Sequence, residues 1–245
     1  MARKPKPKRQ QQPQRPARRP SGLTVVLAFV IAIGAAVSLI VLAVALRTDD
    51  STVAPTPTPV VDLSGIPQDG LVLGPPGDGV TLIEYADLQC PACRAYTESY
   101  FPEIVNRYVQ PGRVKTEFRG LAFIGPDSET ALRWVLAAGL QDRLWNLQEA
   151  LYRNQGGENS GWVTEELLRR ASAGIPGLDA DRVLADAESD EVSALVAQAA
   201  TQAQAAEIRG TPGLAIQIGD ADPYTLEPGI GLSELTAALD DALGS

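Results

Sequence analysis

The chain reads as an α/β domain carrying an all-helical insertion and preceded by one N-terminal transmembrane helix. Three observations predict this. Residues 80–85 form a β-prone run, apolar apart from Glu84, that gives way after Cys90 to helical spacing. From about Asp127 the pattern is helical for roughly eighty residues, with strands only on either side. Residues 23–46 are apolar without one charge.

Taken in order, residues 1–22 carry Arg3, Lys4, Lys6, Lys8, Arg9, Arg15, Arg18 and Arg19 and no acid, among Pro and Gln. Such a segment cannot bury a core and reads as a disordered basic tail. At about 1.5 Å per residue, the run 23–46 is long enough to cross a hydrocarbon core of roughly 30 Å. The basic tail before it, against Arg47, Asp49 and Asp50 after it, puts the N-terminus in the cytoplasm by the positive-inside rule. A cleaved signal peptide is the competing reading, because Ala43-Val44-Ala45 resembles a small-residue cleavage site; signal h-regions, however, run only about 7–15 residues. On either reading the remainder lies outside the cytoplasm, where a disulfide persists. The expectation is a single-pass protein of the cell membrane, held by a signal-anchor, with its folded domain extracytoplasmic. Residues 47–66, rich in Pro and Thr, form a linker of extended character reaching up to ~45 Å from the bilayer.

The folded domain is expected over residues 67–245. Leu71-Val72-Leu73-Gly74 is a short strand closed by the turn residues Pro75 to Gly79. The strand around Glu84 follows, and then a helix with Ala92, Tyr96, Tyr100, Ile104, Val105 and Tyr108 on its core face. Pro102 bends that helix and Pro111-Gly112 stops it. Val114, Thr116 and Phe118 alternate as a second core strand. The helical insertion occupies about 125–209, as helices near 128–140, 142–154, 164–173, 179–187 and 190–209 that mostly open with Asp, Ser or Thr. Residues 211–218 return to strand, 224–226 form a short strand, and 233–243 form an amphipathic helix.

Composition excludes several classes of function. Beyond Arg47 there are 12 basic and 30 acidic residues, a balance that disfavours nucleic acid and anionic lipid as partners of the folded domain. The chain has no histidine, so neither a Ser-His nor a Cys-His pair can form, and an ordinary zinc hydrolase site is ruled out. It also has no glycine-rich nucleotide-binding signature, and no cofactor is expected.

The only two cysteines fall in Cys90-Pro91-Ala92-Cys93, at the strand-to-helix junction. Pro91 suits the first helical position, which leaves Cys90 at or beside the N-cap, where free amides and the helix dipole favour a thiolate. Cys93 lies one turn deeper on the same face, near enough to close a small disulfide and poorly placed to meet solvent. A zinc knuckle would need four ligands, available only across a dimer. A disulfide closing so small a ring constrains little of the unfolded chain, which speaks against an inert structural bond. The motif reads as a redox dithiol.

The run from Leu82 to Cys93, with Gly210-Thr211-Pro212 far downstream, resembles the DsbA-like branch of the thioredoxin-fold thiol-disulfide oxidoreductases. The similarity covers about Leu71 to the C-terminus. It implies a thioredoxin-like fold with a helical insertion, Thr211-Pro212 as a cis-proline loop facing the active disulfide, and Glu84 as a buried acid beneath it. Glu84 would then exchange a proton with Cys93; otherwise it is an edge-facing, solvated carboxylate. The resemblance further implies an oxidase that forms disulfides in cysteine-containing exported proteins and is reoxidised by a membrane quinone-linked partner of the DsbB or vitamin K epoxide reductase type. A reductase or isomerase, for example one serving cytochrome c maturation, is the alternative, and a non-enzymatic binding module is the reading from another class. Two positions depart from the family. Ala92 stands where a histidine is often found, and Gly213 follows the proline where a larger residue is common, which would loosen the groove.

Overall fold

A computed structural model describes residues 61–77 and 79–244. The basic tail, the apolar run 23–46 and most of the linker lie outside the described residues. Among those described, no helix is long and apolar enough to cross a membrane.

The architecture grows from the strand before the cysteines. With β1 at Gln68–Asp69 and β2 at Val72–Leu73, β3 spans Val80–Ala86 and every one of its residues is buried. It pairs in parallel with β4 (Val114–Gly120) on one side and antiparallel with β5 (Gly213–Ile218) on the other. A strand flanked on both edges and covered on both faces needs a nearly continuous apolar run, which its sequence supplies. With β6 (Tyr224–Thr225) the sheet has the order β1-β2-β4-β3-β5-β6.

Alternation along β3 separates two packing faces. Leu82 and Ala86 join the main core with Cys93, Tyr96, Trp145 and Tyr152. Ile83 and Tyr85 pack on the other face with Ala203 and Ala215.

The helix after the cysteines is segmented, as Pro102 implies. α1 covers Pro91–Ser99 and α2 Phe101–Ile104, followed by a π-helical turn at Val105–Val109. Pro102 sits in the first turn of α2, where its missing N–H leaves no bond unmade.

Five helices lie between β4 and β5: α3 Pro126–Gly139, α4 Leu144–Arg153, α5 Glu165–Ala173, α6 Ala180–Asp186 and α7 Asp190–Ala205. Side chains of Thr164, Asp179 and Ser189 accept from free amides at the starts of α5, α6 and α7, the capping chemistry expected of those residues. α4 starts two residues later than the spacing suggested, because Asp142 adopts φ +55° and belongs to the turn. The insertion shares the domain's core rather than building its own. Trp145 of α4 stacks on Phe101 at 5.3 Å and meets Phe118 edge-on at 6.2 Å. α8, Leu232–Leu243, closes the chain; Tyr108 donates to the Thr236 carbonyl across 3.1 Å.

The packed region begins earlier than the linker boundary at residue 66. Val61, Leu63 and Ile66 are buried in the main core, and the Val61 amide donates to the Glu149 carboxylate of α4. Their apolar side chains carry the Pro/Thr-rich segment's last residues onto the insertion, a use that composition alone does not distinguish from a stalk.

Candidate active site

The site is built where β3 turns into α1, and Asp87 makes that turn. Its buried carboxylate accepts from the Gln89 amide at 2.9 Å and the Ser128 hydroxyl at 2.6 Å. The amides of Phe123 and Ile124 donate to its other oxygen at 3.0 and 3.3 Å. Its main-chain carbonyl accepts the Cys90 amide at 3.0 Å and the Tyr152 hydroxyl at 3.2 Å. A buried carboxylate is tolerated because donors surround it. Beside it the buried Gln89 donates to Ser128 Oγ and Asn159 Oδ1 at 3.0 and 3.1 Å and accepts from the Asn159 amide at 2.6 Å. Gln155 Nε2 reaches the carbonyls of Leu88 and Cys90 at 2.7 and 3.2 Å. The insertion therefore braces the loop that presents Cys90.

Cys90 is the N-cap of α1, with φ −71° and ψ 119°, and Pro91 follows at the helix start. Both cysteines are free thiols, Cys90 8% exposed and Cys93 fully buried. The Cys90 thiol donates to the Thr211 carbonyl at 3.3 Å. A hydrogen bond from Cys93 pulls the Cys90 thiol down to about 5, helped by Thr211 and the amides of Cys93 and Ala92, against an opposing effect of burial. Burial pushes the Cys93 thiol far above its usual range, and the hydrogen bond and charge of Cys90 add to that. The two sulfurs of one helical turn are thus driven apart in acidity.

The Thr211–Pro212 peptide is cis. The loop ends where Gly213 pairs with Tyr85, so β5 delivers it to the end of β3 from which Cys90 departs. A cleft of about 890 Å³ opens alongside, lined by Ala92, Ile208, Thr211, Pro212, Leu226 and Pro228 among others. Gly213 does not loosen this groove. A Cβ there would lie 2.9 Å from Ile208 Cγ2, so the isoleucine already fills the space a larger residue would take.

Glu84 is not the solvated edge group of the alternative reading. It sits in the central strand opposite Phe118 and Leu214, 1% exposed, on the face of Leu82 and Ala86. Burial raises its carboxyl to about 8, only partly offset by Gln148 Nε2 of α4, which donates to Oε1 at 3.4 Å.

The structure thus gathers Cys90, Cys93, Thr211 and Pro212 at one end of β3, with Glu84 in the core below. Sequence reasoning missed Asp87, Gln89, Gln148 and Asn159. For the first two a signal existed, since Ala86-Asp87-Leu88-Gln89 places polar residues directly after a buried strand.

Together, a C-x-x-C dithiol on a strand-to-helix turn, the facing cis-proline and the helical insertion define a thiol-disulfide oxidoreductase of the DsbA-like kind. The thioredoxin family profile matches residues 68–228, more than half of the chain, and the chain belongs to that family. It is similar to a "Probable disulfide bond formation protein D" of Bacillus anthracis, 29% identical over 154 residues that cover 62% of this chain and 71% of the relative. Among solved structures it is similar in fold to oxidised BdbD from Bacillus subtilis, with a TM-score of 0.62 at 22% identity over 74% of this chain and 98% of that one. A thioredoxin-like oxidoreductase from Silicibacter pomeroyi DSS-3 superposes with a TM-score of 0.57 at 28% identity, covering 71% and 92% of the two chains.

Proposed function

We propose that the chain is an oxidase that forms disulfides in exported proteins, tethered to the cell membrane by residues 23–46 with its catalytic domain outside the cytoplasm. The observation that carries this reading is the placement of the two sulfurs, Cys90 at the N-cap of α1 against the cis-proline loop and Cys93 fully buried beneath it, which lowers the first thiol and raises the second. A reduced form with a stabilised Cys90 thiolate makes the disulfide a stronger oxidant. Relatives named for disulfide bond formation support the same direction.

In this mechanism a substrate thiolate attacks Cys90 Sγ of the Cys90–Cys93 disulfide. The S–S bond breaks, its electron pair leaves on Cys93, and a proton from Glu84 neutralises that sulfur. A second substrate thiolate attacks the substrate sulfur of the mixed disulfide and releases Cys90 as a thiolate. The substrate loses two electrons and the enzyme gains them. A membrane partner of the DsbB or vitamin K epoxide reductase type then accepts them. Thr211 offers its main chain to an extended substrate beside Pro212, which lacks an N–H to compete.

Trapping tests the reading. The Cys93→Ser variant, expressed in an exporting cell, accumulates mixed disulfides between Cys90 and exported proteins if exchange runs through Cys90. Absence of such adducts would remove Cys90 as the exchanging sulfur.

A further inference from the structure

Two tyrosines are buried in the core around the dithiol, and they differ in one respect. Tyr152 donates its hydroxyl to the Asp87 carbonyl at 3.2 Å. Tyr96 is 4% exposed, and its hydroxyl oxygen is buried without a hydrogen-bond partner among the described residues. The ring itself is accounted for by packing, including an edge-on contact with Tyr100 at 5.8 Å. A phenylalanine would give that packing without stranding a polar atom, and a stranded buried hydroxyl costs stability. A partner that forms only during the reaction explains the oxygen.

The geometry supplies two such partners. Tyr96 follows Cys93 by three residues on α1, hence on the same helix face, and helical side chains lean toward the preceding turn, here toward Cys93. Glu84 projects from β3 on the face that carries Leu82 and Ala86, residues of the same buried core as Cys93 and Tyr96. The titratable groups that act on the Tyr96 hydroxyl are Glu84 from β3 and Cys93 from α1, and the same two charges act on Tyr152 of α4. The hydroxyl feels the charges of Glu84 and Cys93, and burial above all keeps it protonated, so it remains a donor.

We infer that the Tyr96 hydroxyl relays the proton between Glu84 and Cys93, bonding to whichever of the two carries the negative charge. When the Cys90–Cys93 bond breaks and the electron pair stays on Cys93, the Tyr96 O–H proton passes to that sulfur while the Glu84 carboxylic acid returns one to the tyrosine oxygen. The net change is Cys93 thiolate plus Glu84 acid to Cys93 thiol plus Glu84 carboxylate, with Tyr96 unchanged. Reoxidation runs the relay backwards and lets Cys93 attack. This rests on the exchange mechanism through Cys90.

The test is reduction of the oxidised full-length chain by glutathione, with rates corrected for the glutathione thiolate present at each pH. In the parent protein the corrected rate falls above about pH 8, where Glu84 loses its proton. Tyr96→Phe is expected to lower the rate about a hundredfold below that pH, as loss of a general acid does, and to abolish the break. Its melting temperature stays at or above the parent's, and Cys90 alkylation keeps its midpoint near pH 5. Combined with Glu84→Gln it adds no further loss. A Tyr96→Phe protein with the parent's rate and break, or a loss additive with Glu84→Gln, overturns the relay alone. A parent disulfide inert to glutathione overturns the exchange mechanism and the relay together.

Discussion

Cys90 Sγ and the Thr211 carbonyl oxygen, 121 residues apart in the chain, lie 3.3 Å from each other. That contact joins the two motifs that make the site, one at the end of β3 and one at the start of β5. It leaves Cys90 as the sulfur turned to the cis-proline loop, while Cys93 is sealed beneath it. An asymmetric dithiol follows from the N-cap position of one cysteine and the burial of the other.

Alkylation should register this asymmetry directly. In the reduced native protein iodoacetamide modifies Cys90 alone, with a rate rising through about pH 5 to a plateau, while Cys93 reacts only after unfolding. Mass spectrometry of the labelled peptide reads the outcome, and equal labelling of both sulfurs would contradict the asymmetry.

Glu84 and Cys90 act on stability with opposite signs. Glu84 binds its proton more tightly in the fold, about 8 against an ordinary 4.5, so stability falls as pH rises through that window. Cys90 binds its proton less tightly, about 5 against 9.0, so stability of the reduced protein rises across its window. The two largely offset each other between about pH 5 and 8. Replacing Glu84 by Gln keeps the shape and removes the falling component. Denaturant melts of reduced Glu84→Gln should therefore gain stability, relative to the parent, steadily from pH 4.5 to 8. A pH-independent difference between the two proteins would show that Glu84 titrates normally.

Asp87→Asn keeps the volume but aims an NH2 group at main-chain amides whichever way it turns: those of Phe123 and Ile124 on one oxygen, that of Gln89, beside the Ser128 hydroxyl, on the other. Chemical denaturation should show a loss of about 1–3 kcal/mol, the cost of a buried donor left unpaired. A loss below ~0.5 kcal/mol, the scale of ordinary surface substitutions, would mean that the turn is held by its backbone alone.

Gly120 ends β4 where any Cβ would overlap Leu132 Cδ1 and come within 2.7 Å of Phe118 Cε1. Gly120→Ala should destabilise by about 1–3 kcal/mol through overpacking, without changing the pH at which Cys90 alkylates. Thermal melts paired with the alkylation profile separate the two effects.

The fold was legible where pattern and position coincide. The run of β3, apolar apart from Glu84, the Pro91 start of α1 and the Thr164 and Asp179 caps of α5 and α6 are local signals that the structure uses as read, while α7 takes its cap from Ser189, one residue before the Asp190 at which the pattern opened it. The bracing of the site was not legible, because Gln148 and Asn159 meet Glu84 and Gln89 across separations of 64 and 70 residues. A glutamine on an amphipathic helix carries no mark of the acid it faces. Gly213 shows the same limit: its lack of a side chain reads as space, yet Ile208, five residues earlier, fills it.

The central claim is that the fold stabilises the reduced Cys90 sulfur more than the disulfide, and the reduction potential of the Cys90–Cys93 pair tests it most directly. Equilibration with a glutathione redox buffer should place the pair well above thioredoxin's potential of about −270 mV, toward the ≈ −120 mV of the strong oxidant DsbA. A value at or below thioredoxin's would contradict the account and assign the dithiol to reduction.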